Sequence, residues 1–291
     1  MKIMPISIFT DKYQQVSYLQ KGKYSKVYLY QNYISNEYVA VKIIQKHKKY
    51  SISRYTNKIY NEIKFQNMVS HPNILKIKEV YKKNNTYLLV SDYSECGDLF
   101  DFIDSCKNDK IKITFDIKTK LISQLINALN ALHKCNVTHG DIKMENCLIF
   151  KEDDEYILKL TDFGYSHFET EFYHFGTIQY ISPESLPDAV VYTLGLNKLK
   201  ICKTQNNIYS DLWSLGVLMY NFYTNSPAFY IDEKRGMTEI KMYKNILTAN
   251  YNETLIKNEL VKDLLSKLII VDFNKRLLSN YIIQHKLFTI L

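Results

Sequence analysis

The sequence predicts an α+β protein of two unequal lobes, a small β-rich one followed by a larger helical one. Three observations carry this expectation. Up to about Val90 the chain reads mainly as strands. After Gly97 leucines recur at helical spacing. The change of character falls in one short stretch, Asp92 to Gly97.

The strand readings rest on β-branched and aromatic residues in apolar alternation, Lys26–Tyr30 and Tyr38–Ile44, with Tyr87–Val90 as a short apolar strand. Between Ser53 and Val69 the pattern turns helical, with Ile59, Ile63 and Phe65 near one face. His71-Pro72-Asn73 ends it, because the residue before a proline avoids the helical region. Leu121, Leu125, Leu129 and Leu132 define a buried helix in the second lobe. Leu212, Leu215, Leu218 and Met219 define another, and Leu260, Leu264, Leu265, Leu268 and Ile269 a third. The stretch 185–208 lacks amphipathic order and reads as an insertion.

Composition narrows the classes. With 291 residues, 46% apolar and 23% charged, the chain can bury a core of ordinary size. The net charge of +8 comes from basic residues scattered along the chain, so nucleic-acid binding is not expected. Five cysteines, an odd number with no C-x-x-C pair, argue against a disulfide framework or a zinc site. No apolar run approaches the roughly 20 residues of a membrane helix, and the N-terminus carries no signal-peptide apolar block. The expectation is an intracellular protein, cytoplasmic or nuclear, without membrane insertion and of undetermined oligomeric state.

Several short strings carry chemistry. In Leu19-Gln-Lys-Gly22-Lys-Tyr-Ser25-Lys-Val27 a single glycine lets backbone N–H groups approach a phosphate. Taken alone, the string also suits an ordinary hairpin turn. Lys42 stands inside the apolar strand Val39-Ala40-Val41, where an ammonium is costly unless it finds anions. A lysine snorkelling from an edge strand looks the same locally. Glu62, in the predicted helix, is an available anion. Downstream come His139-Gly140-Asp141-Ile142-Lys143-Met144-Glu145-Asn146, then Thr161-Asp162-Phe163-Gly164, then Gly176-Thr177-Ile178-Gln179-Tyr180-Ile181-Ser182-Pro183-Glu184, and Asp211-Leu-Trp213-Ser-Leu-Gly216. The acidic run Glu152–Glu155 reads as a solvated turn despite its likeness to a metal site. The G-x-x-x-x-G-K-[ST] string of a P-loop NTPase is missing.

In this order the strings resemble the eukaryotic protein kinase family, serine/threonine type, from about residue 19 to 288. The catalytic loop and C-terminal helices look most like those of calmodulin-dependent kinases. The resemblance implies one bilobal kinase domain over 1–291: a small lobe over about 13–91, a hinge over about 92–97 and a large lobe over about 98–291. It implies ATP and Mg²⁺ as cofactors and protein substrates as partners. Asp141 would be the catalytic base and Lys143 would contact the transferred phosphoryl group. Lys42 would hold the α- and β-phosphates, with Glu62 as its partner. Thr177 would set a hydroxyl beside Asp141, and Asn146 and Asp162 would hold Mg²⁺. For ATP the resemblance assigns Leu19 and Gly22 to the loop over the phosphates. Val27, Ala40 and Leu148 would pack adenine, Ser91 would gate the back of its pocket, and Asp92 to Ser94 would form the hinge, bonding adenine through backbone groups. Asp98 would meet the ribose or a basic substrate residue. By the same resemblance Glu145 and Asp98 would favour basic residues near the target, the family's third acidic position being Asn221 here. Glu184 would pair with Arg276 in a structural role, and Asp211 would brace the catalytic loop from below.

The sequence also departs from the pattern. Gly140 replaces the arginine that in the family pairs with an activation-segment phosphate. Tyr173 stands where Ser or Thr is usually phosphorylated. Gln66 occupies a position the family fills with an apolar packing residue, where it would either loosen the helix or be solvated. With a depleted glycine loop, these departures keep an ATP-binding pseudokinase scaffold as the competing reading.

Overall fold

The computed structural model describes residues 2–22, 25–45, 52–108, 112–168, 176–186, 190, 194 and 208–289. Its small lobe is one six-stranded sheet in the order β1-β5-β6-β4-β3-β2. The strands are β1 (Ile3–Pro5), β2 (Tyr13–Lys21), β3 (Ser25–Asn32), β4 (Tyr38–Gln45), β5 (Ile77–Lys83) and β6 (Thr86–Asp92). Tyr, Val and Ile fill these strands because β-branched and aromatic side chains suit a pleated, half-buried surface.

The sheet starts earlier than the expected lobe boundary near residue 13. β1 pairs in parallel with β5, Ile3 opposite Val80, and so covers an edge that would otherwise expose unpaired N–H and C=O groups. Helix α1 (Ile6–Lys12) follows and sends Phe9 into an aromatic cluster with Tyr13, Tyr30 and Tyr81, each ring centroid 5.0–5.1 Å away. On the opposite face Ile44, Ile77, Val80 and Leu89 pack on Ile59 of α2 (Ile52–Met68). The far end of α2 belongs to the other lobe, since Phe65 and Val69 sit in its core.

The large lobe is helical. Its core gathers α4 (Phe115–Lys134), α5 (Ile208–Thr224) and α7 (Glu259–Leu268), around fully buried Leu125, Leu129, Trp213, Leu218 and Leu264. α3 (Leu99–Asn108), α6 (Glu239–Leu247), α8 (Ser279–Ile282) and α9 (Lys286–Thr289) complete it. Thr114, Thr238 and Asn258 cap α4, α6 and α7 through side-chain oxygens, as short polar residues do at helix starts. Below the cleft lie β7 (Val137–Thr138), the hairpin β8 (Cys147–Glu152) with β9 (Glu155–Leu160), and β10 (His167–Phe168) paired with β7. The acidic run Glu152–Glu155 is the exposed turn of that hairpin, as expected. Most of 185–208 and Tyr173 lie outside the described residues.

The lobes are stitched by backbone. Leu75 N–H donates to Leu160 O at 2.9 Å, and Leu160 N–H to Asn73 O at 2.9 Å. This fixes the end of β9, where the functional segment begins, relative to the sheet above.

Candidate active site

A cavity of about 560 Å³ opens between the lobes. Strand β4 places Lys42 in it because residues on a strand alternate faces: Val41 goes to the sheet core, while Lys42 and Ala40 face elsewhere. Lys42 Nζ reaches Glu62 Oε1 of α2 at 2.5 Å and Asp162 Oδ1 at 3.1 Å. Burial alone would lower the Lys42 pKa, but Asp162 and Glu62 outweigh it and push the pKa above the ordinary lysine range. Burial likewise disfavours charge on Asp162, yet Lys42 and Lys58 hold its carboxyl well below the usual range. Glu62 is raised, because burial is only partly offset by an ammonium it shares.

The second centre lies on the loop after β7. Asp141 Oδ1 accepts from both the backbone N–H and the hydroxyl of Thr177, each at 2.9 Å. Its Oδ2 meets Lys143 Nζ at 2.9 Å, and Lys143 also donates to the Thr177 hydroxyl at 2.9 Å. Asn146 Nδ2 donates to the Asp141 carbonyl at 2.7 Å and to Oδ2 at 3.2 Å. Asp141, Lys143 and Asn146 share one short loop, and the fold brings Thr177, 36 residues further on, to the same carboxylate.

Asp211, 1% exposed at the start of α5, holds this loop from below. Its carboxylate accepts from His139 N–H at 2.8 Å and Gly140 N–H at 2.9 Å, and pairs with His133 at 3.1 Å. Bonds to backbone N–H, and the His133 pairing above all, outweigh burial and lower its pKa. The His139 ring ties the two functional segments together: Nε2 lies 3.0 Å from Thr161 O, and the ring meets Phe163 edge to face at 4.8 Å. Asp162 has φ 61° and turns the chain sharply between them. Arg276 and Glu184 form the expected bidentate pair at 2.5 and 2.8 Å, buried and away from the cavity.

Lys42, Glu62, Asp141, Lys143, Asn146 and Asp162 all line the cavity. So do Gly22, Val27, Ala40, Ser91, Leu148 and Thr177. Leu19, Asp92, Ser94 and Asp98 are not among its lining residues, Asp92 and Ser94 being expected to act through backbone groups. Leu19 is 37% exposed on β2. The Asp92 carboxylate turns to Lys78. Ser94 spends its hydroxyl on the carbonyls of Ile149 and Gly97. Asp98 is also diverted: its Oδ1 accepts from the N–H groups of Phe100 and Asp101, both at 2.9 Å, and so caps α3. At Asp92 and Ser94 only the backbone remains to meet a ligand. Gln66 is 2% exposed, so it is not solvated.

Sequence reasoning passed over Lys58, Asn61 and Tyr165, which also line the cavity. Lys58 carried a signal: it lies one helical turn before Glu62 and so shares its face.

A two-lobed fold with a lysine–glutamate pair above the cleft and two separated aspartates below it defines a class of phosphate-handling protein. The chain belongs to the protein kinase family: residues 13–288 match the family described as "Protein kinase domain". It is 30% identical over 277 residues to "CBL-interacting serine/threonine-protein kinase 5" of Arabidopsis thaliana, covering 93% of this chain and 56% of that protein. It is 32% identical to the "Calcium and calcium/calmodulin-dependent serine/threonine-protein kinase" of Pisum sativum, covering 72% of this chain and 37% of that protein. With "Calcium-dependent protein kinase 4" of Plasmodium falciparum (isolate 3D7) it shares 28% identity over 96% of this chain and 50% of that protein. The chain thus spans between about a third and somewhat over half the length of these relatives.

Proposed function

We propose that this chain is an active serine/threonine protein kinase, transferring the γ-phosphoryl group of ATP to a hydroxyl of a protein substrate. The observation that carries the reading is the Asp141 carboxylate, which already accepts a hydroxyl from Thr177 while Lys143 neutralises its other oxygen. A substrate hydroxyl entering there would be oriented by Asp141, which would take its proton as the oxygen–phosphorus bond forms and the bond from the γ-phosphorus to the departing ADP oxygen breaks. Lys143, 2.9 Å from both Asp141 and Thr177, would follow the transferred group.

The cavity fits Mg²⁺ and ATP by its donor set. Asp162 is kept ionised, and Asn146 turns its amide nitrogen to Asp141, leaving a carbonyl oxygen as the donor for a hard cation. When bound, Mg²⁺ and ATP supply the phosphoryl group and the neutralisation of its charge. Lys42 supplies a fixed positive charge for the phosphates, oriented by Glu62. Val27, Ala40 and Leu148 offer an apolar sandwich for a base.

For substrate choice, a preference for basic residues near the target rests on Glu145, which is exposed and lines the cavity. Asp98 contributes less, since its carboxylate caps α3. Asn221 contributes nothing ionic, and its amide is held by Tyr180 OH and Ala228 N–H.

The test is Mg²⁺-dependent transfer of ³²P from ATP to a generic basic protein, with wild type and Asp141→Asn compared. A loss of at least about 10²-fold in the variant is expected for a general base. ATP binding without transfer by wild type, on several substrates, would instead leave a nucleotide-binding scaffold.

A further inference from the structure

Helix α2 grips the chain after Asp162 along one stripe of residues spaced three to four apart, which share a helix face. Lys58 sets its ammonium 4.0 Å from the centroid of the Tyr165 ring. Asn61 Nδ2 donates to the Ser166 carbonyl at 3.1 Å. Glu62 meets Lys42. Phe65 packs edge to face on Phe168 at 5.1 Å, with Lys64 Nζ 4.3 Å from the Phe168 centroid.

Two glycines make this contact possible. A Cβ on Gly164 would fall 2.4 Å from Lys58 Cε, so the lysine stem lies directly across that glycine on its way to the ring. Gly140 has φ +81°, and a Cβ there would fall 2.8 Å from the carbonyl oxygen of Tyr165. Tyr165 is therefore clamped, with its ring under the Lys58 cation and its backbone against residue 140. Position 140 offers no side chain to anchor a phosphate, and it cannot acquire one without displacing the clamped residue. Ser166, next in the chain, donates its hydroxyl to His139 O at 3.1 Å and extends the same attachment to the catalytic loop.

Burial lowers the Lys58 pKa, and the main opposing influence is the Asp162 carboxylate. A cation so desolvated gains more from an aromatic face than an exposed one does.

We propose that Lys58 and Tyr165 are positioning residues of the kinase reaction, a cation–π staple that pins α2 where Glu62 can hold Lys42. The staple does from within the chain what a phosphorylated activation segment would otherwise do. It rests on the reading of the site as a phosphotransfer centre, and its effect is on the geometry of the Lys42–Glu62 pair, not on a contact with substrate.

The experiment is a double-mutant cycle in the full chain, Lys58→Met, Tyr165→Leu and both together, with Tyr165→Phe as the conservative variant that keeps the ring face. Two readouts are taken: steady-state kinetics with ATP varied, and hydrogen exchange over residues 56–66 without nucleotide. Each single variant is expected to lose about 3- to 30-fold in kcat, the range of a partly buried cation–π contact, with KM for ATP moving less. The double variant should lose no more than the worse single one. Tyr165→Phe should keep most of the activity, and α2 should exchange faster in Tyr165→Leu but not in Tyr165→Phe. Additive losses, equal damage by Leu and Phe, or unchanged exchange in Tyr165→Leu would each overturn the staple. A wild type that transfers no phosphate would sink the proposed function, and the exchange comparison would still decide the staple.

Discussion

Gln66 offers a direct measurement of what a misplaced polar group costs this fold. The residue lies on α2 four positions after Glu62 and is 2% exposed. Its Oε1 is buried without a hydrogen-bond partner in the described structure. A buried acceptor left unsatisfied forfeits its bonds to water, a cost of about 1–3 kcal/mol. Methionine nearly matches glutamine in length, is unbranched and brings no polar oxygen. The two residues have similar helix propensity, so Gln66→Met changes polarity with little effect on backbone preference. The expected gain is about 1–2 kcal/mol. At about 2–4 °C per kcal/mol for a chain of this size class, that is a rise in Tm of about 2–8 °C. Differential scanning calorimetry of the two proteins at matched scan rate reads it. Gln66→Ala serves as the control, since it removes the oxygen but also opens a void, and should fall below Gln66→Met. A Tm for Gln66→Met equal to or below wild type would refute the reasoning and mean that a buried water or another donor satisfies Oε1.

Three further outcomes are expected. Ser91 lines the cavity on β6 opposite Ala40, and Ser91→Met should lower sensitivity to a bulky purine-like inhibitor at least about 10-fold in a competition assay while KM for ATP moves under about 3-fold; equal inhibition of both proteins would show that neighbouring side chains already close the space. Gly140→Arg, which would restore the residue usual in the family, should lower kcat/KM about 10-fold or more, because a non-glycine residue at φ +81° is strained and its Cβ would strike Tyr165 O; activity at or above wild type would contradict the clamped geometry. Asp98 is pushed up to about 6 by burial, so the folded state favours its neutral form, and the stability this brings below about pH 4 is lost as pH rises through 6. Asp98→Asn keeps an acceptor for the N–H groups of Phe100 and Asp101 without the charge, and should flatten that fall and add on the order of 2 kcal/mol at pH 7; parallel urea titrations at pH 4 and pH 7 that show no difference between the proteins would rule this out.

The parts of the site that could be read in the sequence are those whose chemistry forces an unusual residue into a local pattern. Lys42 interrupts an apolar strand, and Asp141, Lys143 and Asn146 share one short loop. What could not be read depends on partners remote in sequence. β1 is three residues long, too short to display alternation, and its reason for being a strand is the free edge of β5. Asp98 was expected to meet the ribose or a basic substrate residue, but its carboxylate caps a helix start; the side chains of Ser94 and Asp92, expected to act only through the hinge backbone, go to a carbonyl pair and the Lys78 ammonium. Polar side chains next to a hinge are drawn to backbone groups that the turn leaves unpaired, and sequence alone does not show which groups those are. The contact of Lys58 with Tyr165 failed to appear for the opposite reason. The helical register gave the lysine its face, but nothing local to Tyr165 says that a cation will lie over it.

The cations of the cleft divide unequally between its carboxylates, and the division has a chemical consequence. Lys42 is shared between Glu62 and Asp162, yet the pKa of Asp162 falls while that of Glu62 rises. Both Lys42 and Lys58 lower Asp162, whereas burial and the neighbouring Asp162 charge hold Glu62 up. A ligand for a hard cation must be ionised, whereas a carboxylate that only orients a lysine can tolerate a weaker hold on its charge. The same α2 lysine that lies over Tyr165 therefore also helps to keep Asp162 ionised, the form the proposed metal would require. Helix position and readiness for metal are in this way linked through one side chain: a movement of α2 that withdrew Glu62 from Lys42 would also withdraw Lys58 from Asp162.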